Sequence, residues 1–242
     1  MIFYNSQSRK KEVFKPIDKK LITLYTCGPT VYDSPHIGNY RTFLFEDLLK
    51  RTLIASGFKV EHAMNITDID DKTIKASTNE NIDLKEFTKK YINIFFDELN
   101  ILRILPADYY PRATKYISEM ITIIENLISK NHAYISSSGD VYFSIESFQK
   151  YGSLTNLKLD KLIQSKRVLS DEYSSDTIQD FALWKAYKPS DGNVYWQSPW
   201  GKGRPGWHIE CSAMAMNLLG NSIDIHCGGV DNKFPHHENE IA

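Results

Sequence analysis

The sequence predicts an α/β fold: a doubly wound, Rossmann-type parallel sheet whose two halves are separated by an insertion of helices and a small β-hairpin. Three observations lead there. Near the N-terminus a β-rich run ends in a turn, then gives way to a helix and a second strand-like run. The middle carries two amphipathic helical patterns and a hairpin. After residue 222 a short strand returns, followed by paired glycines and a helix start. A strand–turn–helix–strand opening is the first unit of a doubly wound sheet.

Residues 21–26, Leu-Ile-Thr-Leu-Tyr-Thr, read as a buried strand closed by the turn Cys27-Gly28-Pro29-Thr30. The helix runs over about 38–56, with Phe45, Leu48, Leu49 and Leu53 at helical spacing and Gly57 as its stop. A second strand follows at 59–65. Leu84, Phe87, Tyr91, Ile94, Phe95 and Leu102 mark the next amphipathic helix; Ile117, Met120, Ile121, Ile124 and Ile128 mark another. Tyr134-Ile135, a Ser-Gly-Asp turn and Val141-Tyr142-Phe143 read as the hairpin. The stretch 149–179 is polar and weakly patterned, and no structure is assigned to it. Residues 223–226 form the returning strand, and a helix starts near Pro235-His236. The expected organisation is a first half of the sheet domain at 1–76, an insertion at 77–192 and a second half at 193–242.

Composition narrows the function. Hydrophobic residues are 42% and charged residues 24% of the 242, the balance of an ordinary globular protein. The formal net charge is −1, which argues against a domain devoted to nucleic-acid binding, because phosphate neutralisation dominates such affinity. Any nucleic-acid contact is therefore local or made elsewhere. No apolar run is long enough to span a membrane. The N-terminus lacks the basic-then-apolar pattern of a secretory signal, so the expected location is the cytoplasm. Cys27, Cys211 and Cys227 are too few for a disulfide framework. They are metal ligands, catalytic groups or small buried residues.

Four constellations carry candidate chemistry. Pro35-His36-Ile37-Gly38-Asn39 lies between the first strand and its helix, where free N–H groups and the helix dipole favour phosphate. Gly38 admits a ligand to the backbone, and His36 can donate to a phosphoryl oxygen. Taken alone, the same residues describe a helix start with an exposed histidine. In His236-His237-Glu238-Asn239-Glu240, His236 and Glu240 are four apart and share a helical face, which suits one imidazole and one carboxylate on a metal. An exposed polar helix start fits equally well. Gly206-Trp207-His208-Ile209-Glu210-Cys211 offers a pocket wall and a thiolate ligand, or ordinary core packing. Cys227-Gly228-Gly229-Val230-Asp231 after a strand offers a backbone seat for a ligand and an acid for ribose hydroxyls or an ammonium group, or only a turn.

In this order the pieces resemble the cysteinyl-tRNA synthetases. The stretches that carry the resemblance are Tyr25-Thr26-Cys27-Gly28-Pro29-Thr30-Val31-Tyr32-Asp33, His36-Ile37-Gly38-Asn39 and Asn65-Ile66-Thr67-Asp68-Ile69-Asp70-Asp71-Lys72. Gly203-Arg204-Pro205-Gly206-Trp207-His208-Ile209-Glu210-Cys211 and Phe234-Pro235-His236-His237-Glu238-Asn239-Glu240 complete the set. The resemblance runs from about residue 20 to the end.

It implies the class I synthetase catalytic fold and an enzyme, a cysteine–tRNA ligase. Such an enzyme activates cysteine with ATP and Mg²⁺ and transfers it to the 3′ adenosine of its tRNA. It also implies one Zn²⁺ per chain on Cys27, Cys211, His236 and Glu240, with Glu240 the ligand expected to yield or lengthen. A hydrophobic pocket separates near-isosteres such as cysteine and serine by only ~1–3 kcal/mol, whereas zinc prefers thiolate to alcohol through its chemistry. By the same resemblance Gly28, Thr67, Trp207 and Asp231 would contact cysteine. His36 and Asn39 would stabilise the transferring phosphate, and His36, Gly38, Asn39, Gly228, Gly229 and Asp231 would meet ATP. A monomer is expected.

Two departures stand out. Asn39 is a neutral variant of a signature that often ends in histidine, and Cys227 stands where glycine is common; it is read as a small buried residue. The family's Lys-Met-Ser-Lys-Ser loop and anticodon-reading domain lie beyond Ala242. The sequence is accordingly read as a partial chain, with feeble activation of cysteine expected of it alone. Two other readings share its motifs: a ligase passing cysteine to an amino-sugar, and a non-catalytic zinc-binding paralogue.

Overall fold

The computed structural model describes residues 1–156 and 180–242. Most of the stretch left unassigned above, residues 157–179, lies outside the described residues. In chain order the first elements are β1 (Ile2–Asn5), β2 (Lys10–Val13), β3 (Leu21–Thr26), α1 (Ile37–Ala55), β4 (Lys59–Met64), α2 (Asp71–Glu80) and α3 (Leu84–Ile101). Then come α4 (Ile117–Ser129), β5 (Ala133–Ile135), β6 (Val141–Phe143), β7 (Phe181–Ala186), β8 (Trp196–Ser198) and β9 (Gly201–Pro205). The last three are α5 (Trp207–Leu219), β10 (Ile225–Cys227) and α6 (His236–Ile241). Among the described residues no helix is long and apolar enough to cross a membrane.

The chain divides into two units. One comprises residues 15–117 and 210–229, the other 1–14, 118–209 and 230–242. The first holds the parallel sheet, in the order β10-β3-β4, with Leu24 opposite Ile225 and Leu21 opposite Lys59. The β3–α1–β4 crossover is the β-α-β opening the pattern predicts. Beyond β4 the chain at 109–113 runs alongside as an irregular continuation of the sheet. Met64 N–H donates to Tyr109 O at 3.0 Å, and Ile66 N–H donates to Pro111 O at 2.8 Å. Residues 77–117, within the stretch expected as an insertion, fold with this unit.

α1 buries Leu53 as expected but otherwise turns a different face inward. Phe45 and Leu48 are 63% and 61% exposed. The buried residues are Tyr40, Phe43, Glu46, Lys50 and Leu53. The reason is the partner surface. Tyr40 and Phe43 pack with Met64 of β4 and with Phe95 and Leu99 of α3, and that anchor sets the rotation of the whole helix. Glu46 and Lys50 lie further along the same stripe and are carried inward with it. Lys50 Nζ is met by Pro106 O at 2.7 Å and Asp108 at 3.6 Å.

The other unit contains the exposed β1–β2 hairpin and a five-stranded antiparallel sheet, in the order β5-β6-β7-β9-β8. β5 and β6 form the predicted hairpin. Its core is aromatic. Phe143 stacks on Phe181 with centroids 5.0 Å apart, and Trp184 meets Trp200 edge-on at 5.9 Å. Arg204 and Asp191, both buried, pair at 3.6 Å. Gly206 links β9 to α5 where a Cβ would stand 2.0 Å from Ala182 O, so no larger residue fits there.

Candidate metal centre and active site

In the parallel-sheet unit, β3 delivers Cys27 at its C-terminal end. The Cys27 N–H donates to Cys227 O at 3.0 Å, which ties the ends of β3 and β10 together. The ligand atoms of Cys27 and Cys211 lie within 4.8 Å of each other, both side chains are buried, and no disulfide joins them. His226 Nε2 of β10 stands 3.6 Å from Cys27 Sγ. Burial, and behind it the charge of Glu46, pushes the Cys227 thiol up to about 12. It is therefore a neutral thiol at ordinary pH, and it is half-buried where a small buried residue was expected.

Gly28 follows Cys27 where a Cβ would lie 1.8 Å from Asn65 O. Its N–H donates to Asn65 Oδ1 at 3.0 Å, and Asn65 Nδ2 donates to Thr67 Oγ1 at 3.3 Å. Asn65 thus joins two of the four residues expected to contact the amino acid. At the start of α1, Gly38 N–H donates to His36 Nδ1 and His36 N–H donates to Asn39 Oδ1, each at 3.0 Å. This reciprocal cap satisfies two donors of the helix start. His36 Cε1 would lie 2.8 Å from a Cβ at position 38, so glycine lets the imidazole fold over the helix end. His36, Gly38 and Asn39 are all exposed, and Nε2 takes no part in the cap. Gly228 and Gly229 follow β10 and are half-buried.

In the antiparallel-sheet unit, α6 sets His236 and Glu240 one turn apart, with Nε2 to Oε1 at 2.9 Å. Trp207 lies flat on the His236 ring, with centroids 4.1 Å apart and planes 13° apart. His236 Nδ1 meets His208 Nδ1 at 2.9 Å. Burial, and then His236, holds His208 well below the usual histidine range, so this neighbour is a neutral imidazole. With Nδ1 so engaged, Nε2 is the ring nitrogen on the Glu240 side. Asp231 is exposed, on the turn Val230–Lys233. α5 carries residues of both units, Trp207 and His208 at its start and Cys211 one turn later.

Residues 13–242 match the family described as the tRNA synthetases class I (C) catalytic domain. The chain belongs to that family. Over its whole length it is 57% identical to a cysteine–tRNA ligase of Chlamydia felis, covering 51% of that protein. It is 55% identical to one of Brachyspira hyodysenteriae, again covering 51%. The chain thus spans about half the length of the curated relatives it matches. Among solved structures, a Mycobacterium tuberculosis methionyl-tRNA synthetase in complex with methionyl-adenylate shares the fold at TM-score 0.66 and 11% identity. That match covers 90% of this chain and 53% of the other.

Three residues of this class I catalytic domain were not given roles by sequence reasoning. Asn65 and His208 sit inside the quoted motifs, but Gly28 and His236, the partners that decide their roles, are 37 and 28 residues away, so spacing carries no signal for them. Glu238 lies in the His-His-Glu-Asn-Glu run and is fully buried. A buried acid within a motif is itself a signal, but only once burial is known.

Proposed function

We propose that the chain is the catalytic portion of a cysteine–tRNA ligase, and that Cys27, Cys211, His236 and Glu240 hold one zinc ion. The observation that carries this reading is the pair of buried, unbridged thiols of Cys27 and Cys211 within 4.8 Å of each other. A second pair, His236 and Glu240 at 2.9 Å, supplies the complementary nitrogen and oxygen. Two thiolates, an imidazole and a carboxylate form a donor set that suits zinc. The ion, when bound, supplies a soft Lewis acid that prefers a thiolate to a hydroxyl, which separates cysteine from serine.

The chain's own residues do the rest in this reading. His208 fixes the ring of His236 through Nδ1, the role of an outer partner that orients a ligand. Trp207 walls the pocket for the amino-acid side chain. The Gly28–Asn65–Thr67 turn receives the polar groups of cysteine. Asp231 meets its ammonium or the ribose of ATP, and Gly228 and Gly229 admit the nucleotide to the backbone. His36, Gly38 and Asn39, at the positive end of α1, hold the phosphates of Mg²⁺-bound ATP. The cysteine carboxylate then attacks the α-phosphorus in line. The bond to the bridging oxygen breaks, pyrophosphate leaves, and a ribose hydroxyl of the tRNA 3′ adenosine displaces AMP. Positioning and charge stabilisation drive both steps.

The test is metal content together with amino-acid-dependent ATP–pyrophosphate exchange by the full-length protein. One zinc per chain, exchange with cysteine and none with serine at equal concentration are expected. Retention of zinc by both Cys27→Ala and His236→Ala, or preference for cysteine after complete metal removal, overturns the reading.

A further inference from the structure

α6 is six residues long, and no side chain caps its start. A helix so short has little stability of its own. Besides the contacts of His236 with Trp207 and His208, what holds it lies on the side away from His236 and Glu240. Glu238 is two residues from each of them, about 200° around the helix, and it is 0% exposed. Its Oε1 accepts from Gly152 N–H at 2.9 Å and Leu154 N–H at 3.5 Å. Its Oε2 accepts from Thr155 N–H at 3.0 Å and the Thr155 hydroxyl at 2.9 Å. Beside it Asn239 Oδ1 accepts from the Tyr151 hydroxyl. Burial, and then the charge of Glu238, pushes Tyr151 up, so the phenol remains a donor. A single carboxylate thus gathers a backbone segment more than 80 residues away in sequence onto the back of α6.

We propose that Glu238 is a positioning residue: through its cradle in residues 152–155 it sets the rotation of α6, and so the aim of His236 and Glu240. The inference rests on the reading of those two residues as metal ligands. The chemistry is selective for a carboxylate. Both oxygens accept, and glutamine would turn an amide N–H₂ against a backbone N–H. That leaves a donor facing a donor and forces either the helix or the 152–155 segment to move.

The experiment compares wild-type and Glu238→Gln full-length protein. Hydrogen exchange at 152–155 and at 239–241 is expected to quicken in both segments together. Zinc is expected to be lost to a competing chelator at about 10–100-fold lower chelator activity. The visible bands of the cobalt(II)-substituted protein should shift, and KM for cysteine should rise with KM for ATP unchanged. Should Glu238→Gln not fold, Thr155→Val and Tyr151→Phe carry the same test, with smaller effects in the same direction. Zinc held equally by wild type and variant, with unchanged cobalt bands, overturns the inference alone. A wild-type protein that retains no zinc overturns the ligand reading and this inference with it.

Discussion

Two buried glutamates, one on α1 and one on α6, show how much depends on what surrounds a carboxyl group. Glu46 is 1% exposed and Glu238 is 0% exposed. Neither oxygen of Glu46 has a hydrogen-bond partner of normal geometry. Burial pushes its pKa well above the usual carboxylate range, and the nearby Thr26 hydroxyl offsets this only in part. Glu238, by contrast, meets three backbone N–H groups and a hydroxyl. Burial penalises charge unless donors replace the lost water. Glu46 is an acid pushed toward its neutral form and carried inward by the helix face that Tyr40 and Phe43 select. Glu238 is an anchor whose donors were assembled around it. Equal burial therefore implies neither equal hydrogen bonding nor equal importance.

Substitutions test that contrast. The largest effect is expected at α6. Glu238→Leu keeps the bulk but strands the N–H groups of residues 152, 154 and 155. It should cost on the order of 3 kcal/mol or more in denaturant unfolding. A cost under about 1 kcal/mol would mean the cradle contributes no more than one ordinary hydrogen bond.

The effect at α1 has the opposite sign and depends on pH. Below the ordinary glutamate value of 4.5, Glu46 is protonated in both the folded and the unfolded chain. As pH rises past that value the unfolded chain ionises first. Stability is therefore lost until the folded group also ionises, at its raised pKa. Glu46→Gln should remove this slope, leaving the variant more stable than the parent at pH 8 and little different at pH 4. Unfolding midpoints across that range check it, and parallel pH profiles would mean that Glu46 is charged in the fold. The smallest effect belongs to Thr155→Val, which deletes one of the four donors and should cost about 1 kcal/mol. Its neutrality would assign the cradle to backbone N–H groups alone.

Much of the fold could be read from the residues. The runs at 21–26 and 59–65, the helix between them, α3, α4 and the β5–β6 hairpin all follow from local pattern, because strand and helix periodicity is written in neighbouring residues. The rotation of α1 could not be read that way. Phe45 and Leu48 make as good an apolar stripe as Tyr40 and Phe43, and only the packing of Phe95, Leu99 and Met64 chooses between them. The same holds for residues 151–155, which look unpatterned because their order comes from Glu238 and Asn239 of α6. At the candidate site, the residue types and the i, i+4 spacing of His236 and Glu240 were legible. The neutral His208 behind His236 and the Asn65 bridge between Gly28 and Thr67 were not, since each joins groups that no sequence window contains.

By itself, then, the sequence determined the order and kind of the elements and the identity of the chemistry-bearing side chains. Those depend on covalent spacing and on the hydrogen-bonding and metal-binding capacity of each residue. Only the tertiary structure decided which thiols lie side by side, which face of α1 is buried, and which of two hidden carboxyl groups is met by donors. Those outcomes depend on distances between groups remote along the chain, and it is distance that sets packing, desolvation and the supply of donors.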